Sequence, residues 1–186
     1  MSVKVALEPQ VLYFDPALLE RWKGGDRDYC SDPVCRRVSG TAGFGEYLVG
    51  AHFERLGYKW VHHDFDIFGT NRPGKYPSSE AVLMRHFGEA RLSAARSLHR
   101  GLYPFREARH VALETPDLLI FRADASEIRF AECKRIDTRD KLNRRQVIGL
   151  ALIAAVFRCP VDVFLVAPRG SSPSLSPIEV DFPCLS

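Results

Sequence analysis

Apolar positions recur every three to four residues in three stretches of this chain and alternate or run together in four others. The three helical patterns carry most of the organisation. "SGTAGFGEYLVGAHFERLGY" predicts a helix capped by Ser39 or Thr41, with Phe44, Leu48, Ala51 and Leu56 on one apolar face and Gly57 placed to end it. A second helix is predicted over about 79–100, with Leu83, Phe87, Ala90, Ala94 and Leu98 as its buried stripe. A third, over about 139–157, is polar at its start and apolar towards its end. A short helix after Asp15, with Pro16 in its first position, fits "YFDPALLERW". Strand patterns fall at "YKWVHHDF", "DLLIFR" (117–122), "EIRFAECK" (127–134) and, after Pro160, "VDVFLVAP". The turn-rich stretch 66–78 reads as a loop, residues 1–38 otherwise as irregular chain, and the Pro- and Ser-rich tail 169–186 as lying loosely on the surface. The order helix, strand, helix, hairpin, helix, strand predicts an α/β domain over 39–168, its mixed central β-sheet flanked by helices.

Composition narrows the class without naming a function. With 186 residues, 46% apolar and 26% charged, the chain suits one globular domain. No run approaches the roughly 18 apolar residues of a membrane span, and MSVKVALEPQ lacks the sections of a secretory signal. A cytoplasmic protein with no membrane partner is the expectation. Five cysteines suggest no disulfide framework. Cys30 and Cys35, in "CSDPVC", are the closest pair, but a matching second Cys/His pair is not obvious. Structural zinc through Cys30, Cys35 and a histidine therefore ranks behind free thiols. The net charge of +3 is small, yet Lys134, Arg135, Arg139, Lys141, Arg144 and Arg145 cluster against only Asp137 and Asp140. Phosphate contact needs such a patch, although charge alone describes a solvated helix face equally well. Arg85, Arg91, Arg96 and Arg100 lie mostly off their helix's apolar stripe, where arginines usually meet water.

The strand "RFAECKR" (129–135) carries an acid and a base, Glu132 and Lys134, two positions apart and hence on one face. If the link "ADAS" closes a hairpin, Arg122 faces Glu127 and Asp117 falls opposite Glu132. Asp117, Glu132 and Lys134 then gather at one end of the hairpin, above an apolar floor of Leu119, Phe121, Ile128 and Phe130. Two adjacent carboxylates repel unless a cation lies between them, and hard oxygen ligands suit Mg²⁺ or Mn²⁺. Lys134 beside such a cation is placed to hold an attacking water or a phosphate.

"TPD" (115–117) followed by "ECK" (132–134) resembles the PD-(D/E)xK nuclease signature, with Pro116, Asp117, Glu132 and Lys134 filling its positions. "GFGEYLVGAHFERLGYKWV" looks like the opening helix of that fold, where a glutamate commonly completes the metal site; Glu46 holds the position. "ECKRIDTRDKLNRRQVIGLALI" resembles the VRR-NUC branch, whose pattern Asp140, Leu142 and Gln146 match. The resemblance covers roughly 40–62 and 112–167. It implies a restriction-endonuclease-like core and a Mg²⁺- or Mn²⁺-dependent endonuclease cutting DNA phosphodiesters, with junctions or flaps as substrates in repair or recombination. By the same resemblance Asp117, Glu132, the Cys133 carbonyl and Glu46 hold metal, and Lys134 orients and helps deprotonate water. Gln146 either supports the site or touches the scissile phosphate. Arg135, Lys141, Arg144 and Arg145 are candidates for DNA-backbone contacts, and a homodimer is expected by analogy. The segment 63–111 is long for a minimal member and reads as a helical insert. The competing reading is a nuclease-fold module that binds nucleic acid or a protein without cutting; the intact acid pair and lysine argue against it. "HHDFD" brings His62 and Asp64 in as lesser candidates to approach the site, and "GTAGFG" has the wrong spacing for a dinucleotide fingerprint.

Overall fold

A computed structural model describes residues 2–102 and 113–183. Within them, seven strands and five helices follow in the order β1 (Ser2–Leu7), β2 (Pro9–Phe14), α1 (Pro16–Lys23), α2 (Pro33–Arg37), α3 (Phe44–Arg55), β3 (Lys59–His62), α4 (Pro77–Leu102), β4 (Leu118–Phe121), β5 (Ile128–Arg135), α5 (Arg144–Phe157), β6 (Val161–Pro168) and β7 (Ile178–Pro183). Five strands form one mixed sheet in the order β2-β6-β5-β4-β3, with β2, β6 and β5 parallel and β5, β4 and β3 antiparallel. The parallel pair β5 and β6 is joined through α5, the crossover that parallel pairing requires.

Helices cover both faces, so the central strands are apolar on both sides. On one face Trp22, Phe44, Val49 and Phe53 from α1 and α3 pack on Leu118, Ile120, Ala131 and Phe164. On the other, Leu83 and Phe87 from α4 and Ile153 and Phe157 from α5 pack on Leu119, Ile128 and Phe130. The hairpin has the expected register, Leu118 opposite Ala131 and Phe121 opposite Ile128, with the Arg122 N–H donating to the Glu127 carbonyl. The apolar floor of Leu119, Phe121, Ile128 and Phe130 lies on the second face as the alternation predicts.

Several expectations are corrected. Residues 1–38 are not irregular: they contain β1, β2, α1 and α2, and β2 is an edge strand of the main sheet. Pro9, at the first position of β2, occupies the kind of edge site that tolerates a missing N–H donor. The tail is not loose throughout, because β7 pairs antiparallel with β1 in a second, two-stranded sheet. The short helix α1 does form as its sequence predicts, with Pro16 in its first turn and the Asp15 carboxylate accepting from the Ala17 N–H at 2.9 Å.

The first long helix turns a different face inward. Neither Ser39 nor Thr41 caps α3; Gly43 does, at φ 72°, and Leu56 is 52% exposed. The buried face is Phe44, Gly45, Val49, Gly50 and Phe53. Gly50 explains the change: a methyl there would stand 2.3 Å from the Trp60 ring, so only the bare backbone lets α3 settle on β3. In α4 the stripe begins as predicted with Leu83 and Phe87, but Gly88 breaks the helical backbone at φ 75° and ψ 159°. Beyond it the inward positions are Leu92, Ala95 and His99, while Ala90 and Ala94 face outward. The last helix starts at Arg144, five residues later than expected, after a 3-10 turn at Ile136–Thr138. The part of the insert that falls on 103–111 lies outside the described residues. Among the described residues no helix is long and apolar enough to cross a membrane.

Candidate active site

The site lies at the end of the β4–β5 hairpin where the antiparallel ladder stops. Asp117 directly precedes β4, and its carbonyl accepts from the His63 N–H at 3.1 Å, which ties it to the end of β3. Its carboxylate accepts from the Cys133 N–H at 2.8 Å, locking the side chain across to β5. Glu132 is 1% exposed and Lys134 is 6% exposed, on the same side of the strand. Lys134 Nζ lies 2.8 Å from Glu132 Oε1 and 3.5 Å from Asp140 Oδ2. The same Glu132 oxygen accepts from Gln146 Nε2 at 2.7 Å.

Gln146 is held from its other end. Asn143 caps α5, accepting from the Arg145 and Gln146 N–H groups, while Gln146 Oε1 accepts from the Asn143 N–H at 3.1 Å. This reciprocal capping box fixes the Gln146 amide so that its NH₂ points at Glu132. Of the two roles open to Gln146 from sequence, its contacts in this fold are those of a support for Glu132. Asp140, matched only by resemblance, reaches Lys134.

Glu46 sits in the first turn of α3, partly buried. Its Oε1 is 3.7 Å from Nε2 of the buried His62, the last residue of β3. His62 thus does approach the site, whereas Asp64 lines a separate cleft with Trp60 and Pro77. Cys133 has its thiol in the core packed under α3, on the face away from Glu132. Its N–H faces β4, and a strand residue sends its carbonyl to the same side as its N–H, so that carbonyl faces the Asp117 edge where the ladder has ended.

The electrostatics follow from burial. Desolvation, followed by the charges of Glu132 and Glu46, pushes the Asp117 carboxyl well above the ordinary carboxylate range. Burial raises Glu132 as well, and Lys134 offsets only part of the rise. Burial alone would raise Glu46, but adjacent His62 leads the effects that hold it below its usual value. Desolvation would lower Lys134, yet Glu132, with Asp117 and Asp140, raises it above a free lysine and keeps it an ammonium.

The basic patch divides. Arg135 is 8% exposed, its guanidinium bound to Asp137 and donating to the Thr41 carbonyl at 3.0 Å. It braces the 3-10 turn to the start of α3 and is not turned outward for a phosphate, a correction to its expected role. Arg145 is half-exposed and pairs with Glu114 at 2.6 Å. Lys141 and Arg144 are exposed, as is Arg139 of the same basic run. Among the described residues three hollows border the acid cluster, one of about 200 Å³ being lined by Glu46, Cys133, Arg135 and Asp140. Another, of about 370 Å³, is lined by Asp117, Gln146, Glu114 and His63. The third, of about 540 Å³, is lined by Lys134, Arg139, Asp140 and Lys141.

Comparison with protein-family models finds no match to this sequence, and a search of curated proteins finds no relative.

Proposed function

We propose that this protein is a metal-dependent endonuclease of the PD-(D/E)xK type, with a restriction-endonuclease-like core and Mg²⁺ or Mn²⁺ as its cofactor, acting on DNA. The observation that carries the reading is the meeting of Asp117, Glu132 and Lys134 at one hairpin end with Glu46 close enough to raise the Asp117 carboxyl. The residues fit a hard divalent cation. Asp117, Glu132 and Glu46 share the site with Lys134, and burial, with the repulsion among these acids, lifts Asp117 and Glu132 as expected where no cation stands between them.

Asp117, Glu132 and the Cys133 carbonyl would hold that cation, with Glu46 as a further ligand. A bound cation of this class would supply water activation and neutralise charge developing on the phosphoryl and leaving-group oxygens. The protein's own groups do the rest. Gln146 and Lys134 both hold Glu132 Oε1 and so orient the carboxylate for ligation. Lys134, held as an ammonium, donates a hydrogen bond to the attacking water or to a phosphate oxygen. Its ion pair with Glu132 favours this donor role over that of a proton acceptor. Lys141 and Arg139 line the Lys134 hollow and, with the exposed Arg144, would contact the sugar-phosphate backbone without reading bases. Junctions and flaps remain the proposed substrates, and a homodimer the proposed assembly.

The test is incubation with Mn²⁺ or Mg²⁺ and a panel of duplex, flap, four-way-junction and single-stranded DNA. The wild-type chain should cut at least one of these and stop when the cation is chelated. Asp117→Ala and Lys134→Ala should each lower the rate by about 10²-fold or more while leaving the circular dichroism spectrum unchanged. Cleavage that survives Lys134→Ala undiminished would remove the mechanism. A chain that binds DNA but cuts none of the panel would favour the non-catalytic module.

A further inference from the structure

A second constellation lies outside the acid cluster. Asp32, Cys35 and His62 are all buried, and one ligand atom from each lies within 4.8 Å of the others. They converge from α2 and the end of β3, positions 27 to 30 residues apart in sequence. Cys35 Sγ is 3.3 Å from His62 Nδ1. Zinc binds thiolate at about 2.3 Å and imidazole at about 2.0–2.1 Å, which places a tetrahedral sulfur–nitrogen pair roughly 3.5 Å apart. Asp32 is already oriented: one oxygen accepts from the Val34 and Cys35 N–H groups at 2.8 Å, the other from the His62 N–H at 3.3 Å. Cys30 is fully buried nearby, its Sγ–H donating to the Asp32 carbonyl at 3.7 Å.

The far side of the imidazole supplies an independent observation. His62 Nε2 is buried, has no hydrogen-bond partner among the described residues, and faces Glu46 at 3.7 Å. A histidine that ligates metal through one nitrogen characteristically directs its other N–H at a carboxylate. We propose that Asp32, Cys35 and His62 are the three protein ligands of one zinc ion. The ion would fasten the α2 segment to the end of β3. It would also hold His62 as the Nε2–H tautomer, pointing at Glu46. Softness separates this site from the proposed catalytic one: thiolate and imidazole select zinc, whereas the carboxylate cluster suits magnesium or manganese. The inference rests on the buried sulfur, nitrogen and oxygen donors and not on the nuclease reading.

The experiment is elemental analysis of the full chain purified from zinc-supplemented medium and dialysed against a mild chelator. It is paired with replacement of the ion by Co²⁺. About one zinc per chain is expected, kept by Asp117→Ala and lost by Cys35→Ser and His62→Ala. The Co²⁺ form should show the intense near-ultraviolet band of thiolate ligation. The Co²⁺ spectrum is read on the unsubstituted chain, so it decides the matter even if Cys35→Ser fails to fold. A folded chain that takes up neither zinc nor Co²⁺ would overturn the site, as would Co²⁺ bound without a thiolate band. So would zinc lost by Asp117→Ala and kept by Cys35→Ser. Retention of zinc by a chain that cuts no DNA would leave this site standing and the nuclease reading fallen.

Discussion

Asp117 is a buried acid whose ionisation the fold opposes. Burial and the neighbouring charges of Glu132 and Glu46 raise its carboxyl above the roughly 3.9 of an unfolded aspartate. An acid raised in this way stabilises the fold fully below its unfolded pKa, and that contribution is lost as pH climbs through the folded value. A divalent cation competes with the same proton. Its affinity should therefore rise with pH, with protons released on binding. Titration calorimetry in buffers of differing ionisation enthalpy measures both, and an affinity independent of pH would contradict the coupling. The triad itself was legible in sequence because a four-residue link sets a short hairpin's register, and register decides which side chains meet. Arg135 was not: its position among basic residues says nothing of Asp137 and the Thr41 carbonyl, which draw it inward. Glu46 is recognisable only through resemblance, since an isolated helical acid carries no signal of its own.

Helix α5 places a supporting side chain by means of its own start. The Asn143 capping box fixes Gln146, and Gln146 in turn holds Glu132. Asn143→Ala should cost about 1 kcal/mol of stability in chemical denaturation. It should lower cleavage less than Gln146→Ala does, because the Asn143 backbone N–H that orients Gln146 survives the change. Equal losses of activity in the two variants would mean that the cap, and not the amide contact to Glu132, matters at the site. The predicted helix start falls five residues early because "RDKL" is polar chain that periodicity alone does not separate from a helical first turn. Helix α4 shows the opposite failure, with the correct element and the wrong face. Its apolar period is regular in sequence, but Gly88 breaks the backbone and resets the phase for every residue beyond it.

Across the whole molecule, the core from α3 to β6 was readable from local patterns, and the ends were not. Strand β2 pairs with β6, more than 150 residues away, and β1 with β7, so neither end announces its partner locally. The Asp32, Cys35 and His62 grouping was missed as a set for the same reason, although "CSDPVC" and "HHDF" each stood out. The fold brings the start of α3 and the ends of β3, β4 and β5 to one edge of the sheet, where buried acids outnumber what Lys134 offsets. The central claim is that this edge is built for a divalent cation, and it can be tested without knowing the substrate. The most direct measurement is thermal melting of the wild-type chain and Asp117→Asn, with and without Mn²⁺, at mildly alkaline pH. Wild type should gain about 5–10 °C at a Mn²⁺ concentration of roughly 100 Kd. Asp117→Asn should melt higher than wild type in chelator, because the repulsion is gone, and should gain little from Mn²⁺. An equal Mn²⁺ gain in both proteins, or a metal-free Asp117→Asn less stable than wild type, would contradict the account.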